Sequence, residues 1–478
     1  MSLRKQATSG FVWTFAQQFG NQFIGFFVSL ILARLLLPSE FGLIGMIAIF
    51  VSIGNMLVSS GLTQSLVRSS NIDEDDYSTV FYFNLVSSII IYFIIFFLAP
   101  LVAKFYEQPI ITDLLRVYCL TFIISAFAAV QQAKLTREMN FKTQAFISIP
   151  STVTGGVVGV VLAYLGFGVW SLVWSYLTTS VVNTIQLWIY SKWSPLLVFK
   201  REKFISHFNF GYKLTLSGLL ESIFNNIYLI VIGKYFSVAQ VGFYTRAETM
   251  KQLPVINIST TLQKVTFPIF SSIQDDDVRL KRIYKQLMEI VIFVIAPVLI
   301  FLAILAEPTF RFLFTEKWLP AVPYFQILCI TGILYPIHSY NINILNVKGR
   351  SDLVLKLEVI KKVVIIITIL IAIKFGILAL LYGQILTSIV AFIINTHYTG
   401  KLIDYNAIEQ SKDILPAIGI AMVSGALIYS FDTFIIHDFN DIFRIIIGGI
   451  LGILSYVLFA YVLKFDSLTN IKSLILKR

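Results

Sequence analysis

Residues 33–45 read ARLLLPSEFGLIG, and residues 233–245 read GKYFSVAQVGFYT. Slid by the 200 positions between residue 33 and residue 233, without a gap, the two stretches pair Ala33 with Gly233, Arg34 with Lys234, Glu40 with Gln240 and Gly42 with Gly242. Each copy joins the end of one long apolar run to the start of the next. Identity this weak carries little alone. Its position carries more, because the copies form the first hairpin of two successive series of apolar runs.

The runs are what composition demands. The chain has 478 residues, of which 57% are hydrophobic, 13% charged and 15% aromatic, with a mean hydropathy of +0.81. A soluble domain is about a quarter charged, and no water-soluble fold has an interior able to hide this much apolar surface. Lipid can be the solvent if helices satisfy every backbone polar group. A crossing helix needs about 20 mainly apolar residues. That rule predicts fourteen spans, at 10–36, 41–66, 78–103, 112–132, 144–165, 168–191, 212–235, 239–270, 286–306, 321–346, 353–374, 376–399, 413–431 and 441–463. The first run, behind Arg4 and Lys5, is too long for a signal-peptide core and reads as the first membrane helix.

Two spans are poor on hydropathy. The stretch 239–270 carries Arg246, Glu248, Lys251 and Lys264, and 353–374 has a clean apolar core only at Val363–Ile373. Glu358 stands three and four residues before Lys361 and Lys362, spacings that allow ion pairing on one helix face. Polar helices of this kind persist at membrane depth when they face protein or water.

The formal charge is +11, which could mark a nucleic-acid binder, so its placement decides. With the N-terminus inside, roughly 24 Lys and Arg fall on that side and roughly 10 on the other, as the positive-inside rule requires. The surplus is a topology signal. Nucleic acid drops out, and both termini are expected in the cytoplasm. The two cysteines, Cys119 and Cys329, sit in apolar runs and suggest neither a disulfide framework nor a zinc site.

The duplication divides the chain into an N-terminal six-helix lobe (1–191), a cytoplasmic amphipathic linker (192–211) bearing Phe204 and Phe208 on one face of a short helix, a C-terminal six-helix lobe (212–400), and helices 13 and 14 with a cytoplasmic tail (401–478). The fold class is an all-α polytopic membrane protein. Duplicated bundles are common in secondary transporters, where the substrate path lies between the halves.

Five further stretches carry a resemblance: AKLTREMNFKTQA (133–145), VGFYTRAETMKQLP (241–254), TLQKVTFPIFSSIQDDDVRL (261–280), FLFTEKWLPAVPYFQIL (312–328) and NVKGRSDLVLKLEVIKK (346–362). With the hairpin ARLLLPSEFG, they make the chain resemble the polysaccharide-exporter (Wzx, WzxC-like) branch of the multidrug/oligosaccharidyl-lipid/polysaccharide flippase superfamily. The resemblance runs from span 1 to span 11; after about residue 400 only the extra pair of spans matches. It implies a bacterial inner-membrane flippase for an undecaprenyl-pyrophosphate-linked oligosaccharide, with two six-helix lobes in a V-shape. It also implies the same pathway's glycan polymerase and glycosyltransferases as partners. It does not say which glycan is moved, nor whether an H+ or Na+ gradient is coupled, and no cofactor is expected.

Carrying a pyrophosphate through hydrocarbon calls for fixed cations and donors, because burying an unpaired charge costs several kcal/mol or more. No bond is broken, so no nucleophile is required. Arg246 and Lys251 are the best candidates, roughly 10 and 18 Å into their span at about 1.5 Å of rise per residue. Glu221, about 13 Å from the inside by the same rise, lies near the level of Lys251. Glu221 and Glu248 are both possible partners for that ammonium, and the sequence leaves the choice open. Arg34 closes span 1, where snorkelling to headgroups competes with anion contact. Ser52, Asn55, Ser59 and Thr63 make a polar stripe on span 2, and Gln18, Asn21 and Gln22 add polar groups to span 1; helix–helix glue competes with a lining for sugar hydroxyls. Lys134, Arg137, Lys213 and Lys264 ring the cytoplasmic ends. The four histidines are scattered, His207 and His437 in loops, without metal-ligand spacing.

Other functions fit less well. A cation or drug antiporter of the same superfamily wants a carboxylate at mid-depth in spans 1–6. A glycan polymerase or ligase wants a large outer loop, and the longest here is about 306–320. A gated channel would lack the lobe duplication.

Overall fold

The structure is a computed structural model that describes residues 3–59, 61–69 and 71–468. Among these residues the chain is helical with no strand. The helices are α1 (Leu3–Leu35), α2 (Pro38–Ser59), α3 (Leu62–Arg68), α4 (Glu74–Tyr106), α5 (Ile111–Tyr118), α6 (Leu120–Arg137), α7 (Phe141–Tyr164), α8 (Val169–Ser191), α9 (Arg201–Asn225), α10 (Ile227–Tyr235), α11 (Val238–Ser272), α12 (Asp277–Ile304), α13 (Ala306–Phe314), α14 (Val322–Val347), α15 (Ser351–Ala372), α16 (Ile377–Ile403), α17 (Ala407–Phe434) and α18 (Asp441–Val462).

The repeated hairpin is built twice by the same local chemistry. After α1, the Leu37 N–H donates to the Glu40 carboxylate at 2.6 Å; after α10, the Ser237 N–H donates to the Gln240 amide oxygen at 3.0 Å. In both copies a side chain in the first turn reaches back to satisfy an amide that the helix start leaves orphaned. Pro38 opens α2, where its missing N–H costs nothing. The two hairpins also pack on each other. A Cβ on Gly42 would lie 2.9 Å from the Val238 carbonyl carbon, and one on Gly242 would lie 2.8 Å from the Pro38 carbonyl carbon, each closer still to the carbonyl oxygen.

Among the described residues nine helices are long and apolar enough to cross a membrane, or ten if α9 and α10, bent by 43° at Asn226, count as one span. The sequence predicts fourteen. The difference lies in α1, α8, α11 and α15, which have 33, 23, 35 and 22 residues but polar faces that depress hydropathy, such as Gln18 and Asn21 on α1 and Lys356, Glu358 and Lys361 on α15. Lys361 pairs with Glu358 one turn away, as the spacing predicts. The apolar helices show the inverted pattern of a lipid-facing surface: only 17% of the most apolar window of α4 is buried, with Phe97 and Leu101 exposed.

The chain forms two compact units, Met1–Gly242 and Phe243–Arg478. In the first, α7 packs on α1 and α8, α6 on α8 and α4, and α9 on α2 and α3. Small residues permit the α7–α8 approach: a Cβ on Gly159 would meet the Ser175 side chain at 2.8 Å. Residues 201–211, expected as a separate short helix, are instead the first turns of α9. The helix continues because Phe204, Phe208 and Tyr212 keep one apolar face, stacking in series at 5.2 and 5.7 Å. His207 therefore lies in a helix and not in a loop.

In the second unit α12 packs on α14 and α17, α14 on α16, and α18 on α13 and α17. Asp276 caps α12 by accepting from the Arg279 N–H at 2.9 Å. The last helix pair is tied in by charge as well as by packing. Arg444 of α18 makes two bonds to Asp432 of α17, at 2.8 and 2.6 Å, and both side chains are buried.

Candidate functional site

The cations singled out on α11 are drawn into contacts within the second unit. Arg246 is 5% exposed. Its guanidinium lies over the rings of Phe314 and Trp318, 4.8 and 5.0 Å from their centroids, a cation–π arrangement strengthened by desolvation. Lys251 donates to both Glu248 carboxylate oxygens, at 2.7 and 2.8 Å, and Gln252 donates to Glu248 at 2.8 Å. Of the two carboxylates considered for Lys251, Glu248 is the one it bonds. Glu221 is exposed on α9. The side chain of Lys264 lies outside the described residues, as does that of Ser59.

In the first unit Arg34 is exposed at the end of α1. Its counterpart in the repeat, Lys234, pairs with Glu107 at 2.9 Å and lies 5.4 Å from the Phe105 ring. That ammonium holds the Glu107 carboxyl below its usual range. Gln18 is exposed on α1. Asn21 has two roles: its amide donates to Ser148, and its oxygen accepts from Thr152 at 3.2 Å, joining α1 to α7. It also lines a cavity of about 350 Å3 with Gly25, Ser29, Ser175 and Tyr176. Asn55 is exposed on the wall of a second cavity, of about 600 Å3, with Ser52, Tyr118 and Tyr176. Tyr176 borders both. Its ring stands 5.3 Å from that of Tyr118. Ser52 bonds Ser222 of α9 at 2.7 Å, so the polar stripe on α2 both joins helices and lines a cavity.

Sequence reasoning missed a charged cluster where α3, α4 and α9 meet. Asp73 caps α4 through the Asp75 and Asp76 amides, both at 3.1 Å. Buried Asp76 accepts from the Lys203 ammonium at 2.8 Å and lies 3.1 Å from His207 Nε2. His207 Nδ1 lies 2.8 Å from the Ser65 hydroxyl. The backbone amide of Asp76 and the ammonium of Lys203 hold Asp73 at about 2. Lys200 pairs with Asp75. Ser65, Asp76 and His207 have the composition of a hydrolytic triad, but all three are buried, so no substrate reaches the hydroxyl. The detectable signal was the acid run Asp73–Asp76 facing the basic stretch from Lys200 to His207. Among the described residues no group of three or more His, Cys, Asp and Glu could hold a metal ion.

Comparison with known proteins gives these cavities and helices a context. The chain is 28% identical to the succinoglycan biosynthesis transport protein ExoT of Rhizobium meliloti over 70% of this chain and 68% of that one. It is 24% identical to the lipopolysaccharide biosynthesis protein WzxC of Escherichia coli over 83% and 80%, and 25% identical to the teichuronic acid biosynthesis protein TuaB of Bacillus subtilis over 74% and 73%. Among solved structures, the lipid II flippase MurJ in an inward closed conformation superposes with a TM-score of 0.76 at 15% identity, covering 95% of this chain and 99% of that one. An inward-facing multidrug resistance MATE transporter gives 0.63 at 18% identity over 80% and 96%. The fold is the one those two transporters share, and the polysaccharide-exporter resemblance read from the motifs holds. ExoT, MurJ and the MATE protein are named for transport and not for an enzymatic reaction. With its sequence pattern matched over residues 31–323, the chain belongs to the polysaccharide biosynthesis protein family.

Proposed function

We propose that this protein is a flippase that moves an undecaprenyl-pyrophosphate-linked oligosaccharide, the repeat unit of an O-antigen, capsule or exopolysaccharide, from the cytoplasmic to the periplasmic leaflet of a bacterial inner membrane by alternating access. The observation that carries this reading is the spread of glycans among relatives of one family. Succinoglycan, lipopolysaccharide and teichuronic acid are different polymers. A lipid-linked intermediate built on one side of the membrane and used on the other is a cargo that exporters of such different polymers would have in common. The MurJ-like fold supports the same reading.

On this reading all fourteen long helical segments cross the membrane. The less apolar α1, α8, α11 and α15 face protein or a passage, and both termini are cytoplasmic. Arg246 and Lys251 then hold the diphosphate in a state other than the one described, exchanging aromatic faces and Glu248 for phosphate oxygens. An antiporter of small cations or drugs is the second reading, favoured only by the MATE-like fold.

Deletion of the gene should cause the lipid-linked oligosaccharide to accumulate on the cytoplasmic side, with loss of the surface glycan. Normal surface glycan with no accumulated intermediate would refute the flippase.

A further inference from the structure

We propose that the two cavities that Tyr176 borders bind the uncharged sugar portion of the cargo, and that the diphosphate is held elsewhere. The identity of the cargo rests on the flippase reading; the chemistry of the site rests on its walls. Among the described residues no Lys, Arg, His, Asp or Glu lines either cavity. A diphosphate placed there would leave its hydration and meet no cation, at a cost of several kcal/mol or more per unpaired charge.

A neutral sugar has the complementary chemistry. Its hydroxyls both donate and accept, and its ring has an apolar C–H face. The amides of Asn21 and Asn55 and the hydroxyls of Ser29, Ser52 and Ser175 are bifunctional partners of that kind, and the half-exposed Tyr176 ring (50%) offers a flat apolar face beside Tyr118. Cavities of about 350 and 600 Å3 both lie in the range of roughly 300–1,000 Å3 common for small-molecule sites. Space for a sugar depends on Gly25. A Cβ there would meet nothing within 4 Å, so a longer side chain at this position enters the cavity without striking the backbone.

The test uses purified full-length protein in lipid nanodiscs, with cellobiose and N-acetyllactosamine as neutral probes, cellobiouronic acid as the charged counterpart, and inorganic pyrophosphate. Saturation-transfer NMR should show both neutral disaccharides bound, with cellobiouronic acid weaker. Asn55→Ala, which removes one hydrogen-bonding group, should weaken the neutral probes about fivefold. Gly25→Leu, which fills only the smaller cavity, should weaken their signal with no fall in melting temperature. Pyrophosphate binding, read from 31P line widths, should be unchanged by either substitution. Absence of any neutral-sugar signal overturns the proposal. So does equal binding of the acid, an undiminished signal in Gly25→Leu, or a parallel loss of pyrophosphate binding in Asn55→Ala. The two readings fail separately: sugar binding without lipid-linked intermediate in the deletion strain refutes the flippase, whereas that intermediate without sugar binding refutes the site.

Discussion

Gly42 lies against the carbonyl of Val238, and Gly242, 200 residues later, lies against the carbonyl of Pro38. Each carbonyl occupies the space that a side chain on the glycine would need, and in each case it belongs to the residue that opens the opposite helix. Backbone meets backbone, so no flexible side chain can move aside.

Gly42→Ala and Gly242→Ala should therefore each destabilise by about 1–3 kcal/mol, the usual cost of overpacking, and should do so to a similar degree. Because both methyl groups force the same two helix starts apart, the double substitution should cost less than the sum of the single ones. Gly449→Ala, where the new methyl meets nothing within 4 Å, is the control and should be neutral or stabilising. Melting of the four proteins in one detergent decides it; full additivity would show that the hairpins do not share the contact.

The Arg444–Asp432 pair gives a second expectation. Removing one partner of a buried ion pair strands the other charge. Arg444→Met should cost about 3–5 kcal/mol, and adding Asp432→Leu should restore most of the loss. The check is a double-mutant cycle on melting, or on the fraction of protein recovered folded from the membrane.

Acid should loosen the start of α4. The folded Asp73 carboxyl sits at about 2, below its ordinary value of 3.8, so it binds a proton less readily folded than unfolded. Its contribution is complete above the unfolded value and is lost as pH falls through the folded one. Asp73→Asn keeps a capping side chain but removes the titration. The variant should melt lower than the parent at pH 7 and lose less stability between pH 4 and pH 2. An unchanged pH profile would mean that this carboxyl does not contribute.

Arg246 separates charge from shape. Arg246→Lys keeps the cation but loses the planar group lying over Phe314 and Trp318, so it should lower melting while retaining part of the export. Arg246→Ala should lose about 0.5–2 kcal/mol of cation–π interaction and all export. Full export by the alanine variant, with protein in the membrane, would remove Arg246 from transport.

The fold was legible where a single segment carries the whole signal. Lengths of apolar runs give helices, and the alignment of residues 33–45 with 233–245 gives two equivalent hairpins. The Glu358–Lys361 pair follows from spacing within one helix. Legibility ended where contact depends on distant segments. Ser65, Asp76 and His207 come from three elements, so no periodicity joins them, and His207 was read as a loop residue. Residues 201–211 were read as a linker because their charges masked an aromatic face that continues into α9. The cavities at Tyr176 were invisible for a related reason: they are spaces between helices, set by what Gly25 lacks.

A contact in which residue i of one copy meets residue j of the other, while j of the first meets i of the second, is what a twofold axis produces. The Gly42–Val238 and Gly242–Pro38 contacts have this reciprocal form, so the two hairpins are related locally by a pseudo-twofold axis. Each hairpin start is thus the surface against which the other is fitted, and a bulkier residue at either glycine would displace both at once.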